Sequence, residues 1–293
     1  MMRRMLALLV FAGALLTAGC GTVDEMRTEF VAMRYMQAAE GNLRSLPRNT
    51  ARAIEELDRA VALMPEDAEL KRRAARFYAV ARAWEKAIPL FEAQEELTRQ
   101  DRIAYAQCLL NTERADEGAQ ICLAIIDRAM QQRERAGSTQ VEWALALNDA
   151  GYTLADADMH IDRAYEAVLA AMEAMPLQGA FVDSVGWALY RKGELVDAAF
   201  YLERARRHTP REDPEILYHL GVVYARLGRY GEATDALDRA RKLAPGWDEV
   251  REELRRLGRI LPPPALAAFA PSALTTQRST LRETSLMHHG RLS

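Results

Sequence analysis

Val182–Pro210, VDSVGWALYRKGELVDAAFYLERARRHTP, is the stretch that decides the fold. Its apolar and small residues recur by threes and fours: Val182, Val185, Gly186 and Leu189, then Ala198, Leu202 and Ala205. That is the period of two amphipathic helices and not of a strand. Gly193 lies between them, where a helix ends in a left-handed residue, and Pro210 stops the second helix. The same order appears on either side. Leu147, Ala150, Gly151 and Leu154 precede Ala164, Val168, Ala171 and Pro176; Leu217, Leu220, Gly221 and Tyr224 precede Ala233, Leu237, Ala240 and Pro245. The prolines follow one another at 34 and 35 residues, and Gly193 and Gly228 are 35 apart. A fixed period of this size marks an array of helix pairs. Gly186 and Ala198 are expected to be small because their helices touch there. Asp213-Pro214 reads as an N-cap followed by proline at the first helical position of the next pair.

Upstream the period continues more faintly. Ala53, Leu57, Ala60 and Pro65 form a second helix, and Val23 to Glu40 is amphipathic enough to be its first. Leu70, Ala74 and Phe77 pair with Ala87 and Phe91, with Pro89 placed to kink the second member. Ile103, Ala106 and Leu110 pair with Ala119 and Leu123 in a helix reaching about Arg135, before Ala136-Gly137-Ser138 breaks it. About six pairs result, with Trp247 to Leu257 as a helix capping the last. Composition agrees. Aromatic residues are 7% of 293, Ala, Leu, Glu and Arg dominate, and β-branched residues are few, so a β-sandwich or barrel is excluded. With 39 basic against 42 acidic residues the net charge is −3, which gives no basic surface for nucleic acid.

The small, large and proline positions, matched in order three times, resemble the tetratricopeptide repeat (TPR). The resemblance implies an all-α, right-handed superhelical solenoid of helix-turn-helix repeats over residues 20–260. It implies that the first helices line a concave groove. Positions facing a ligand in that family fall here on Asn148 and Tyr152, on Asp183, Trp187, Tyr190 and Arg191, and on Tyr218, Val222 and Arg226. Aromatic, amide and arginine side chains are the types that anchor peptides and protein surfaces. For each aromatic ring the alternative is the core of the neighbouring repeat. Tyr190 and Tyr218 fit both equally. Trp187 and Tyr152 fit the groove better, since each directly follows the small residue at the helix contact and one residue turns the face by about 100°. Arg191, four residues beyond Trp187, shares its face.

The N-terminus is an address. Arg3 and Arg4 precede the apolar run Met5 to Leu16, and Thr17-Ala18-Gly19-Cys20 follows. That is the order of a secretory signal too short to anchor as a membrane span. Ala18-Gly19-Cys20 resembles the lipobox of bacterial lipoproteins, with Thr17 in place of the commoner Leu. The resemblance implies cleavage after residue 19 and acylation of Cys20. Three acyl chains, at ~0.8 kcal/mol per buried CH₂, would hold the protein to a membrane permanently. Gly21, where Asp retains Gram-negative lipoproteins in the inner membrane, implies the periplasmic face of the outer membrane. At the other end Pro262-Pro263-Pro264 ends any helix, and residues 261–293 read as a flexible tail.

Chemistry is sparse. The sequence holds no catalytic motif of the nucleophile-elbow, phosphate-loop, zincin or dinucleotide type. Asp156, Asp158, His160 and Asp162 alternate in a way that could bind a metal, but they read better as the turn between two helices, with Asp capping the second. His288-His289 reads as a solvated tail pair, Ser184 beside Asp183 as an ordinary helical residue, and His208 and His219 as helix-end residues without a special role. Cys108 and Cys122 are offset along their helices by several ångströms, which tells against a disulfide, whose Cα atoms must lie within about 7 Å. They are expected as half-buried thiols. No cofactor, metal or enzymatic activity is expected. Leu147 to Ala205, with Gly151-Tyr152-Thr153-Leu154-Ala155-Asp156 and Asp183-Ser184-Val185-Gly186-Trp187-Ala188-Leu189-Tyr190, is similar to a group of Gram-negative TPR lipoproteins. One member of that group is an adaptor for a periplasmic carboxyl-terminal processing protease that degrades peptidoglycan hydrolases. The resemblance implies a lipid-anchored scaffold for periplasmic or membrane proteins. Assembly of a secretion or pilus complex is the alternative, and a cell-wall-active enzyme a remoter one.

Overall fold

The computed structural model describes residues 20–45, 48–135 and 139–260. The expected leader, the break at Ala136-Gly137-Ser138 and the tail lie outside them. The described residues form thirteen helices and no strand. Six pairs run in order: α1 (Cys20–Arg44) with α2 (Thr50–Leu63), α3 (Ala68–Val80) with α4 (Trp84–Glu92), and α5 (Arg99–Leu110) with α6 (Ala115–Glu134). Then come α7 (Gln140–Asp156) with α8 (Ile161–Ala174), α9 (Gly179–Lys192) with α10 (Leu195–His208), and α11 (Pro214–Arg226) with α12 (Tyr230–Leu243). A last helix, α13 (Asp248–Ile260), covers the exposed side of the sixth pair. The architecture is the TPR helix-pair solenoid.

Local chemistry sets the helix starts. Asn49, Asp67 and Asp213 each accept a hydrogen bond from a backbone N–H of the first turn that they cap, which satisfies donors a helix start leaves orphaned. At α5, Thr98 and Asp101 bond reciprocally in a capping box. Asp101 is also fully buried and receives the Arg76 guanidinium at 2.9 Å, so one carboxylate ties α3 to α5. Four of the six turns within pairs share one device. The N–H groups of Ala83, Met159, Glu194 and Arg229 donate to the carbonyls of Tyr78, Leu154, Leu189 and Tyr224 at 2.9–3.0 Å. The residue before each donor adopts a left-handed backbone: Arg82, Asp158, Gly193 and Gly228. Glycine does this without strain; Arg82 and Asp158 carry a Cβ into it. His160, also left-handed, stands at the start of α8 with no side-chain cap, so the expected Asp cap of that helix is absent.

Helix contacts within pairs centre on glycine. A Cβ on Gly186 would stand 2.7 Å from Leu202 Cγ, and one on Gly221 would collide with Leu237 Cγ. The partner is thus one turn further along the second helix than Ala198. A Cβ on Gly151 would meet the backbone carbonyl of Ala164 at 2.9 Å.

Two hydrophobic clusters run through the array. One joins Ala32 and Met36 to Phe91, Cys108 and Leu109; the other runs from Ala106 and Ala119 to Leu257. They meet at the α5–α6 pair, where Ile121 packs on both. Cys108 and Cys122 are free thiols on opposite sides of that seam and fully buried rather than half-buried. Burial pushes both up to about 12, which keeps them protonated at neutral pH. First helices pack side by side, α7 on α9, α9 on α11 and α11 on α13, and form one continuous inner wall. The superhelical curve brings Arg82, in the α3–α4 turn, into an ion pair with Glu249 of α13.

Candidate functional site

The inner wall is built from first helices one repeat apart. Asn148, Tyr152 and Asp156 come from α7, Asp183, Trp187, Tyr190 and Arg191 from α9, and Glu215, Tyr218 and His219 from α11. Their rings form a ladder. Trp187 stacks on His219 with centroids 4.0 Å apart and on Tyr190 at 4.8 Å. Tyr218 lies 4.9 Å from Trp247, the residue just before α13. Tyr152 stands 6.1 Å from His219 and donates its hydroxyl to Glu215 across the groove.

Under this ladder is a buried polar core. His219 Nδ1 is 3.0 Å from both carboxylate oxygens of Asp183, and the two residues are 2% and 5% exposed. A carboxylate only accepts, so Nδ1 carries the proton. Burial alone pushes the imidazole toward its neutral form. The Asp183 charge opposes this, with Glu215 and Asp156 adding to it, and holds the His219 pKa above its ordinary value.

The structure corrects the sequence reading at several positions. Trp187 is 4% exposed, with its Nε1–H donating to Asp156 Oδ1 at 3.3 Å. It is an internal strut and not the exposed centre of a binding site. Asp183 and Val222 are buried too, Asp183 by its bond to His219. His219, expected to have no special role, is the hub of the wall. A signal existed: Asp183 and His219 are 36 residues apart, one more than the repeat, which places them on facing sides of neighbouring first helices.

Asn148, Tyr152, Tyr190, Arg191 and Tyr218 are half-buried and Arg226 is exposed. Arg191 donates to the Asp156 carbonyl at 3.3 Å and pairs with Asp158 at 3.4 Å. Between α5 and α7 opens a cleft of about 400 Å³, lined by Ile103, Gln107 and Asn111 on one side and Asn148, Tyr152 and Asp156 on the other. Asn148 Oδ1 is buried there without a hydrogen-bond donor. The acidic turn is otherwise engaged: Asp156 holds Trp187, Asp158 pairs with Arg191, and Asp162 pairs with Lys192. Among the described residues no group of three His, Cys, Asp or Glu could hold a metal ion.

Helix pairs joined by left-handed turns, with small residues at the contacts and an aromatic inner wall, define a helix-pair solenoid of the TPR type. Residues 185–246 match the tetratricopeptide repeat family. The chain is similar to a TPR repeat-containing protein of Pseudomonas aeruginosa, 45% identical over 78 residues, which are 27% of this chain and 13% of that protein's length. In structure it resembles a tetratricopeptide repeat protein from Parabacteroides merdae, with a TM-score of 0.54 at 10% identity over 71% of this chain and 77% of that one. PilW, a type IV pilus biogenesis factor, aligns at 16% identity over 76% of this chain and 98% of its own, with a TM-score of 0.48. The likeness to the Parabacteroides merdae protein speaks to the fold alone.

Proposed function

We propose that the protein is a lipid-anchored TPR scaffold on the periplasmic face of the outer membrane. It binds an extended segment of a protein partner in its groove, the partner being a periplasmic processing protease or a cell-wall hydrolase. The observation that carries the groove reading is the cleft beside Asn148. It offers an unpaired buried acceptor and the half-buried ring of Tyr152 on one wall. An extended peptide presents backbone N–H donors to such an acceptor and side chains to such rings. Ala18-Gly19-Cys20 supports the anchor.

Two experiments test the parts separately. Cells making Cys20→Ser are labelled with a fatty-acid analogue; loss of label and release from membranes is the expected result, and a labelled, membrane-bound variant refutes the anchor. Crosslinking and affinity purification from membranes, with Tyr190→Ala/Arg226→Glu as control, tests the groove. A processing protease or peptidoglycan hydrolase recovered with the wild type and lost with the control supports the adaptor role. A secretin or pilus subunit in its place moves the assignment to assembly of those machines.

A further inference from the structure

We infer that the segment following α13, from Leu261 onward, docks on the Tyr190–Tyr218–Trp247 wall of its own chain, so that the groove carries a built-in occupant. This goes beyond the scaffold reading and needs neither the lipid anchor nor the identity of a partner.

Four observations converge. Tyr218 and Trp247 stand 4.9 Å apart, Tyr190 stacks beside them on Trp187, and all three outer rings are half-exposed. Proline-rich segments dock on aromatic-lined grooves of this kind, because their backbone is already extended and loses little entropy on binding. The chain supplies such a segment at once: Pro262-Pro263-Pro264, then Leu266, Phe269, Pro271 and Leu274.

Position agrees. Trp247 directly precedes α13, whose 13 residues rise about 20 Å to Ile260. Polyproline geometry rises ~3.1 Å per residue, so about six residues suffice for that return. Leu266 to Phe269 then come level with Tyr218 and Trp247. Ile260, an exposed apolar residue, marks the departure point.

Charge agrees as well. Beyond Leu274 the segment carries Arg278, Arg282 and Arg291 against the single acid Glu283. Glu249, Glu253 and Asp156 all act on the Tyr218 hydroxyl, and Glu215 accepts from Tyr152 nearby. A basic segment thus has carboxylates on the rim to compete for, Glu249 and Glu253 being shared with Arg82 and Arg256. Tethering adds the last element. A short linker gives an effective concentration in the millimolar range, so a weak contact suffices for occupancy in cis. A partner then binds by displacing the segment.

The test uses the full chain in detergent. Phe269 is replaced by photoreactive p-benzoylphenylalanine and the dilute protein is irradiated. Intramolecular crosslinks to α9, α11 or Trp247 are expected. Crosslinks only between two molecules assign the segment to a second copy, and crosslinks to α8, α10 or α12, or none, place it off the wall; each overturns the inference. In a second arm a labelled peptide of residues 261–277 is titrated in trans. It is expected to bind the full-length Leu266→Asp/Phe269→Asp variant about tenfold tighter than wild type, whose groove is already filled. Adding Tyr190→Ala, at a half-exposed ring, should abolish that gain while the circular dichroism spectrum is unchanged. Equal binding to wild type and to the Leu266→Asp/Phe269→Asp variant shows an open groove and overturns the inference. Partner capture is read separately, so its failure leaves this result standing.

Discussion

Trp187 is held on two faces by rings and at its nitrogen by Asp156. Trp187→Ala leaves a void that three first helices cannot all close. It should cost about 3–5 kcal/mol, read as a large fall in midpoint in a urea melt followed by circular dichroism. Tyr190→Ala, half-exposed on the same helix, should cost much less. His219 gives a pH-dependent companion. Facing it are Asp183 from α9, Asp156 and Tyr152 from α7, and Glu215 and Tyr218 from its own helix. Its folded pKa lies above the unfolded value, so the protonated pair stabilises fully below about pH 6.5, and this contribution is lost as pH rises through the folded value. His219→Gln should therefore be most destabilising near pH 5, with the gap to wild type narrowing toward alkaline pH. A gap independent of pH would mean that the pair is not charged in the folded state. The burial of Trp187 was not legible in the sequence. Its position follows the helix-contact glycine by one, at the edge of the apolar stripe, and what decides is the ring that the next repeat places against it. That ring belongs to His219, whose own helix gives no apolar signal there.

Elements were more legible than faces. Repeating glycine, alanine and proline fix the helix pairs because close helix packing, chain reversal and termination each admit few residue types. Gly193 and Gly228 stand in the left-handed turns where expected, and Asp213 caps α11. In the second pair Arg82 occupies a turn position that Gly193 and Gly228 hold later, which removes one mark of the period there. The exact helix contact also escaped, since periodicity gives a face but not the offset between two helices. That offset makes the glycines unequal. A methyl at Gly186 meets the Leu202 side chain first, with that residue's backbone nitrogen behind it at 3.1 Å, whereas one at Gly151 meets the Ala164 backbone carbonyl at 2.9 Å. Gly151→Ala should lower stability by about 1–3 kcal/mol, and Gly186→Ala by distinctly less, in parallel thermal melts. Equal losses would mean that backbone crowding is not what limits the first.

Across the whole molecule, the Arg82–Glu249 pair joins the second repeat to the cap and closes the curve of the array. Both side chains reach solvent, so the pair adds less than about 1 kcal/mol to stability. Its effect is on shape. Arg82→Glu should leave melting nearly unchanged yet raise the radius of gyration in small-angle scattering at low salt. The swap Arg82→Glu/Glu249→Arg should restore it. No expansion in the single variant would show that packing alone sets the curvature. The seam between the two hydrophobic clusters orders events in time. Every buried member of the first cluster lies at or before Leu109, so that cluster needs no buried residue of the later pairs to close. The leading half can therefore settle alone and then serve as the template on which each later pair is laid.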